Sequence, residues 1–278
     1  MSELEGRGGD WTEERGTSDE GRSRLQAARK RAGLHCVNTL VKVARYHLVQ
    51  PWQYLVVPWG VLTFSFLVSI VPYALIPVGH HTVLTGHGVV SVPNARYTGA
   101  SSSFFLYFLV LGIQSIGRSL PFGLALGISR RTYYTGTALL AAALACANGL
   151  ALAILQAVEQ ATGGWGVQMS FFRVAFVLDG PWYLTWLSSF VGLTLLFVYG
   201  MWFGIVYRRW GALGTIAFIA AQVTVALAVT IIVSWAHGWT AVASFFTGLT
   251  AAGLTGLLAV LAAALLLGGH ATIRRATI

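Results

Sequence analysis

The sequence predicts an all-α integral membrane protein with six transmembrane helices, an N-terminal amphipathic interfacial helix, and both termini in the cytosol. Three observations carry this. Of the 278 residues, 56% are hydrophobic and 10% charged, so a water-soluble fold would expose apolar patches far larger than monomers tolerate. Six apolar runs of roughly 19–26 residues follow one another, each enough to cross a ~30 Å hydrocarbon layer as a helix. Seven of the nine acids (Glu3, Glu5, Asp10, Glu13, Glu14, Asp19 and Glu20) precede residue 21; beyond it stand Glu159 and Asp179, against arginines set in short gaps. The formal net charge of +9 therefore follows the pattern of a membrane protein, and no nucleic-acid partner is expected.

Residues 1–35 form a cytoplasmic tail with almost nothing to bury, acidic and then basic from Arg22 onward, and are expected to be disordered. Over 36–51 the apolar positions Val37, Leu40, Val41, Ala44 and Leu48 fall at helical spacing, with Asn38, Lys42 and Arg45 on the other face. Such a basic amphipathic helix lies in the headgroup layer of membrane lipid, and Pro51 ends it. The transmembrane domain spans 52–270, with spans at about 53–77, 102–120, 133–158, 182–206, 213–235 and 245–267, and residues 271–278 form a cytoplasmic tail. The runs lack the alternation of barrel strands, and helices satisfy their own backbone in lipid. A cleavable signal peptide is not expected, because the first apolar run begins near Gln53 and is too long for one.

Arginine placement orients the spans. Arg130 and Arg131 occupy the second gap, Arg208 and Arg209 the fourth, and Arg274 and Arg275 the tail; the alternate gaps carry far less. By the positive-inside rule these segments, and both termini, face the cytosol. The first outer gap holds His80, His81 and His87 with no carboxylate or cysteine nearby, so they read as solvated histidines and no metal site is assigned. Trp165, Trp182, Tyr183, Trp186, Trp235 and Trp239 sit at the outer ends of spans, as an interfacial aromatic belt does. Cys36 and Cys146 read as two small buried hydrophobes rather than a disulfide.

Much chemistry is missing. None of the six runs contains Asp, Glu or Lys, no buried nucleophile–base pair appears, and no phosphate-cradling G-x-x-x-x-G-K-[ST] is present. No catalytic residue and no cofactor bound by this chain is assigned; active transport would have to draw energy from a partner. The polar residues within spans, Gln114, Ser115, Asn148, Gln156, Thr194, Gln222 and Thr224, either hydrogen-bond between helices or line a polar route. Gly123-x-x-x-Gly127 and the series Ala141, Ala145, Gly149 allow close helix approach.

The segment 119–131 after the second span is the densest internal knot of polar and helix-breaking residues. Arg118, Pro121, Phe122, Leu124, Gly127, Ser129, Arg130 and Arg131 make it structured, apolar on one side and basic at both ends. With the amphipathic helix and six spans, Leu120 to Arg131, the run Gly127 to Thr137 and the ending Ala271 to Thr277 resemble permease subunits of bacterial type-2 ABC exporters. The resemblance implies that Pro121 to Arg131 is a coupling helix docking on a separate ATPase subunit, which holds the ATP and Mg. Arg118 would cap the second span. It also implies a second permease subunit, in a homo- or heterodimer, and export; the apolar and aromatic residues at the span ends suggest a small or amphipathic compound such as a drug, peptide or lipid. A membrane scaffold or immunity-type binding protein without transport is the alternative. An ordinary stop-transfer arginine pair is the plain reading of Arg130 and Arg131.

Overall fold

The computed structural model of the protein describes residues 52–75, 82–85, 88–91, 101–125, 127, 129–168, 170–172 and 181–275. The tail and interfacial helix expected before Pro51, and His80, His81 and His87, lie outside the described residues.

Among the described residues the fold is helical apart from one small ribbon. A π-helical turn, Trp52–Val56, leads into α1, Val57–Leu75. Pro58, which has no N–H to donate, stands where the turn tightens into α-helix. Strands β1 (Thr82–Thr85) and β2 (Gly88–Ser91) pair antiparallel, with Val83 opposite Val90, inside what reads from sequence as a plain polar loop. Next come α2 (Ser102–Gly117), the short α3 (Ser119–Ala125) and α4 (Arg130–Ala161). The element α5 covers Trp182–Trp235, α6 covers Trp239–Gly248 and α7 covers Ala251–Arg275.

Five of these helical stretches are long and apolar enough to cross a membrane, which fits the large hydrophobic side chains on the outer surface of the bundle. The fourth and fifth apolar runs share the 54-residue α5, but the backbone breaks at Gly211, where φ is 67° and ψ is −160°. Phe203 meets Phe218 with ring centroids 5.2 Å apart, and the Tyr199 hydroxyl donates to Gln222. Both pairs straddle Gly211 symmetrically, so α5 is an antiparallel hairpin of two arms. The sixth run is divided as well: residues 239–248 form their own helix, and the long helix starts at Ala251.

Glycines set the core. A Cβ at Gly112 of α2 would collide with the Phe197 carbonyl of α5, and one at Gly200 with the Leu109 carbonyl; at Gly204 it would lie 2.7 Å from the Ile116 Cβ. The backbones of α2 and the first α5 arm therefore touch directly, the close approach that small residues permit. Along the other side of that arm, Ala141, Ala145 and Gly149 of α4 are buried, and a Cβ at Gly149 would be 3.1 Å from the Phe190 nitrogen. The small-residue series in α4 thus serves packing inside the chain. Gly123 and Gly127 do not share one helix face: Gly123 of α3 lies against the Tyr133 ring of α4, and Gly127 takes a left-handed turn at φ 78°. Ser188 bonds Thr255 at 2.7 Å and the Trp202 indole donates to the Leu265 carbonyl at 3.0 Å, which seats α7 on the same arm.

By contrast the second α5 arm and α6 hold no buried residue: Leu213 is 81% and Trp235 89% exposed. Cys146, expected to be buried, lies exposed on the outer face of α4.

Candidate functional site

The contacts gather the arginines. Tyr133 at the start of α4 reaches the end of α2, Tyr134 stacks obliquely on His270 at 6.1 Å, and Ile116 meets Gly204. The positions of Arg118, Arg130, Arg131, Arg208, Arg209, Arg274 and Arg275 consequently fall at one end of the bundle. These are all the arginines among the described residues. Arg209 also lies over the Trp210 ring, 4.8 Å from its centroid.

The segment 119–131 stands at this end. Helix α2 stops at Gly117, and the Arg118 N–H closes its last turn on the Gln114 carbonyl at 2.9 Å. Pro121 falls within the first turn of α3, where N–H groups have no intrahelical partner, so proline is tolerated. Leu120 is buried and Leu124 half-buried against the core; of Phe122 the backbone is described, as part of α3, and its side chain is not. The Gly127 N–H donates to the Leu124 carbonyl at 3.0 Å, and the left-handed φ there reverses the chain. Ser129 is the N-cap of α4: its Oγ accepts from the Thr132 N–H at 3.3 Å. Arg130 and Arg131 then occupy the first turn of α4, which contains no acidic residue, at an N-terminus whose dipole is itself positive. Arg118, Gly127, Ser129 and Arg131 are exposed, while Pro121 and Arg130 are half-buried.

Tyr133 holds the segment together, and hydropathy reading did not single it out. It is fully buried, its hydroxyl donates to the Ser115 carbonyl at 2.6 Å, and its ring fills the space a Cβ on Gly123 would need, 2.8 Å away. A tyrosine inside an apolar run is a sequence signal, since a buried phenol needs a partner.

The polar candidates within the apolar runs are spread along the bundle. Gln114 pairs with Gln53 between α2 and the π turn, beside Tyr107, whose hydroxyl donates to the Gln53 carbonyl at 3.0 Å. Ser115, Asn148 and Thr224 donate to carbonyls one turn back on their own helices, at 2.7, 2.8 and 2.9 Å. Gln156 and Thr194 are buried, Gln222 is half-buried against Tyr199, and Thr224 faces outward.

The opposite end carries the acid. Glu159 is the one acidic residue among the described residues. Placed by hydropathy in an outer gap, it instead lies inside α4 and is 2% exposed. Its Oε2 accepts from the Phe172 N–H at 2.9 Å, the Phe171 N–H at 3.0 Å and the Trp165 indole at 3.2 Å. The chain returns to it through Gly163, Gly164, Trp165 and Gly166, all left-handed, with φ of 63°, 82°, 61° and 75°. Three glycines adopt this freely; the tryptophan does not, at a cost on the order of 1–3 kcal/mol. Trp165 is thus no ordinary belt aromatic: it packs edge-on against Phe66 at 5.2 Å, whereas Trp182, Trp235 and Trp239 stay exposed. Among the described residues, no three His, Cys, Asp or Glu side chains come together to hold a metal. No protein-family model, curated protein or solved structure matches this chain.

Proposed function

We propose that the chain is a membrane-spanning permease subunit of an ATP-driven transporter that moves a small or amphipathic compound outward, with hydrolysis on a separate ATPase. The carrying observation is the segment 119–131: a short helix at the arginine-bearing end, anchored by Leu120 and Tyr133, with Arg118, Ser129 and Arg131 left exposed. Charge supports the orientation, since the arginine end suits the cytosolic leaflet and its anionic headgroups. The outward-facing second arm of α5 and helix α6 suit lipid or a second permease subunit. Counting the α5 hairpin as two crossings is compatible with the six spans and cytosolic termini of this reading. The chain is not itself an enzyme on this reading; ATP and Mg belong to the partner.

The test is to look for an ABC ATPase gene next to the one for this chain and to co-express the two; the absence of such a neighbour counts against the proposal. The subunits should co-purify, and R130E/R131E should reduce the dependence of ATP turnover on the permease at least tenfold. An ATPase that neither co-purifies nor changes its turnover in the presence of this chain overturns the proposal.

A further inference from the structure

Next to Glu159 lies a cavity of about 170 Å³, open on one side and lined by Trp59, Leu62, Thr63, Phe66, Leu155, Trp165 and Phe172. Leu155 and Glu159 are one turn apart on the same face of α4, so the carboxylate sits just beyond the cavity wall. Two of the walls, Trp165 and Phe172, are hydrogen-bonded directly to it. We propose that this cavity binds a small apolar monocation, a trimethylammonium group being the chemistry it fits.

Three independent observations point there. Size is the first: an apolar cavity near 150 Å³ accepts a benzene-sized guest, and a trimethylammonium group is of that bulk. The walls are the second. Four of the seven lining residues are aromatic, and ring faces attract a cation whose methyl groups tolerate a largely apolar lining. Charge is the third. The Glu159 carboxylate takes all three of its donors on Oε2, while Oε1 is buried without a partner and no described cation pairs with the group. A buried charge lacking a counter-ion is costly, and a cation in the adjoining cavity supplies one. The strained Trp165, pulled over by its bond to that carboxylate, closes one wall. The site is at the opposite end of α4 from the arginines, Glu159 lying about 44 Å along the helix from Arg130 at 1.5 Å per residue, and it does not depend on the transport reading.

The test uses the full chain in maltoside micelles, with choline as probe and, for comparison, its uncharged isostere carrying a tert-butyl group in place of trimethylammonium. Calorimetry should show choline bound at least tenfold more tightly than the isostere. Glu159→Gln should remove that preference and leave the isostere unaffected. Trp59→Leu, which does not disturb the Glu159 bonds, should weaken choline binding severalfold. Equal affinities for choline and isostere, or no choline binding by the wild-type chain, overturn the proposal, and both are read without any variant. Two bilayer arms separate the sources of the ligand. Loss of choline binding on moving from phosphatidylglycerol to phosphatidylcholine membranes assigns a lipid headgroup; retained binding assigns a free ammonium compound.

Discussion

The Tyr133 hydroxyl donates to the Ser115 carbonyl at 2.6 Å, so one side chain ties the start of α4 to the end of α2 across the whole 119–131 turn. Nothing else described spans that turn with both a buried ring and a hydrogen bond. Tyr133→Phe keeps the ring and leaves a buried carbonyl without this donor, a loss of about 1–3 kcal/mol. Thermal unfolding of the detergent-solubilised protein should show a lower midpoint. An unchanged midpoint would mean that the bond carries no weight in the folded state.

Gly200 and Leu109 touch through their backbones. Gly200→Ala must push α2 and α5 apart and should destabilise by at least about 1–3 kcal/mol, as overpacking does. Gly60→Ala is the matched control: a Cβ at Gly60 meets nothing within 4 Å. It should leave stability unchanged or slightly raised, because alanine is the better helix former. Denaturation midpoints of the two variants side by side check this.

Gly211 is a conformational requirement rather than a spatial one. A Cβ there has open space around it, yet φ of 67° with ψ of −160° is a backbone region essentially restricted to glycine. Gly211→Ala should cost on the order of 1–3 kcal/mol and loosen the α5 hairpin. The readout is crosslinking between cysteines placed at Phe203 and Phe218, whose rings are 5.2 Å apart. The yield should fall in the Gly211→Ala background and stay constant if the hairpin is indifferent to the residue.

Ser129 is exposed at the arginine end. A cysteine at this position, in a chain with Cys36 and Cys146 replaced, should react with an impermeant maleimide in inside-out vesicles and not in intact cells. Labelling from the external side of intact cells would invert the orientation.

The composition and run lengths made the helical, membrane-compatible class legible, and the polar and helix-breaking residues of 119–131 made a structured break between spans legible locally. Each of these signals acts within a few residues of itself. The Tyr133 and Glu159 roles did not show, because both depend on groups brought close by folding: a carbonyl eighteen residues back, and two backbone N–H groups of a returning loop. Glu159 in particular reads from hydropathy as a loop acid one residue past an apolar run. The Gly163-Gly164-Trp165-Gly166 sequence held the clue, since flanking glycines permit a left-handed run that returns the chain onto the helix it has just left.

The sequence by itself determined that the chain is built of long apolar helices, where most of them lie, and which gaps carry arginine, because hydrophobicity and charge are properties each residue brings with it. Only the tertiary structure decided that Gly112, Gly200 and Gly204 form the closest helix contact, that the 54-residue α5 folds back on itself at Gly211, and that a lone carboxylate stands behind an aromatic cavity. The physical reason is the same in each case: close approach and buried charge are relations between distant segments, and no local pattern encodes them.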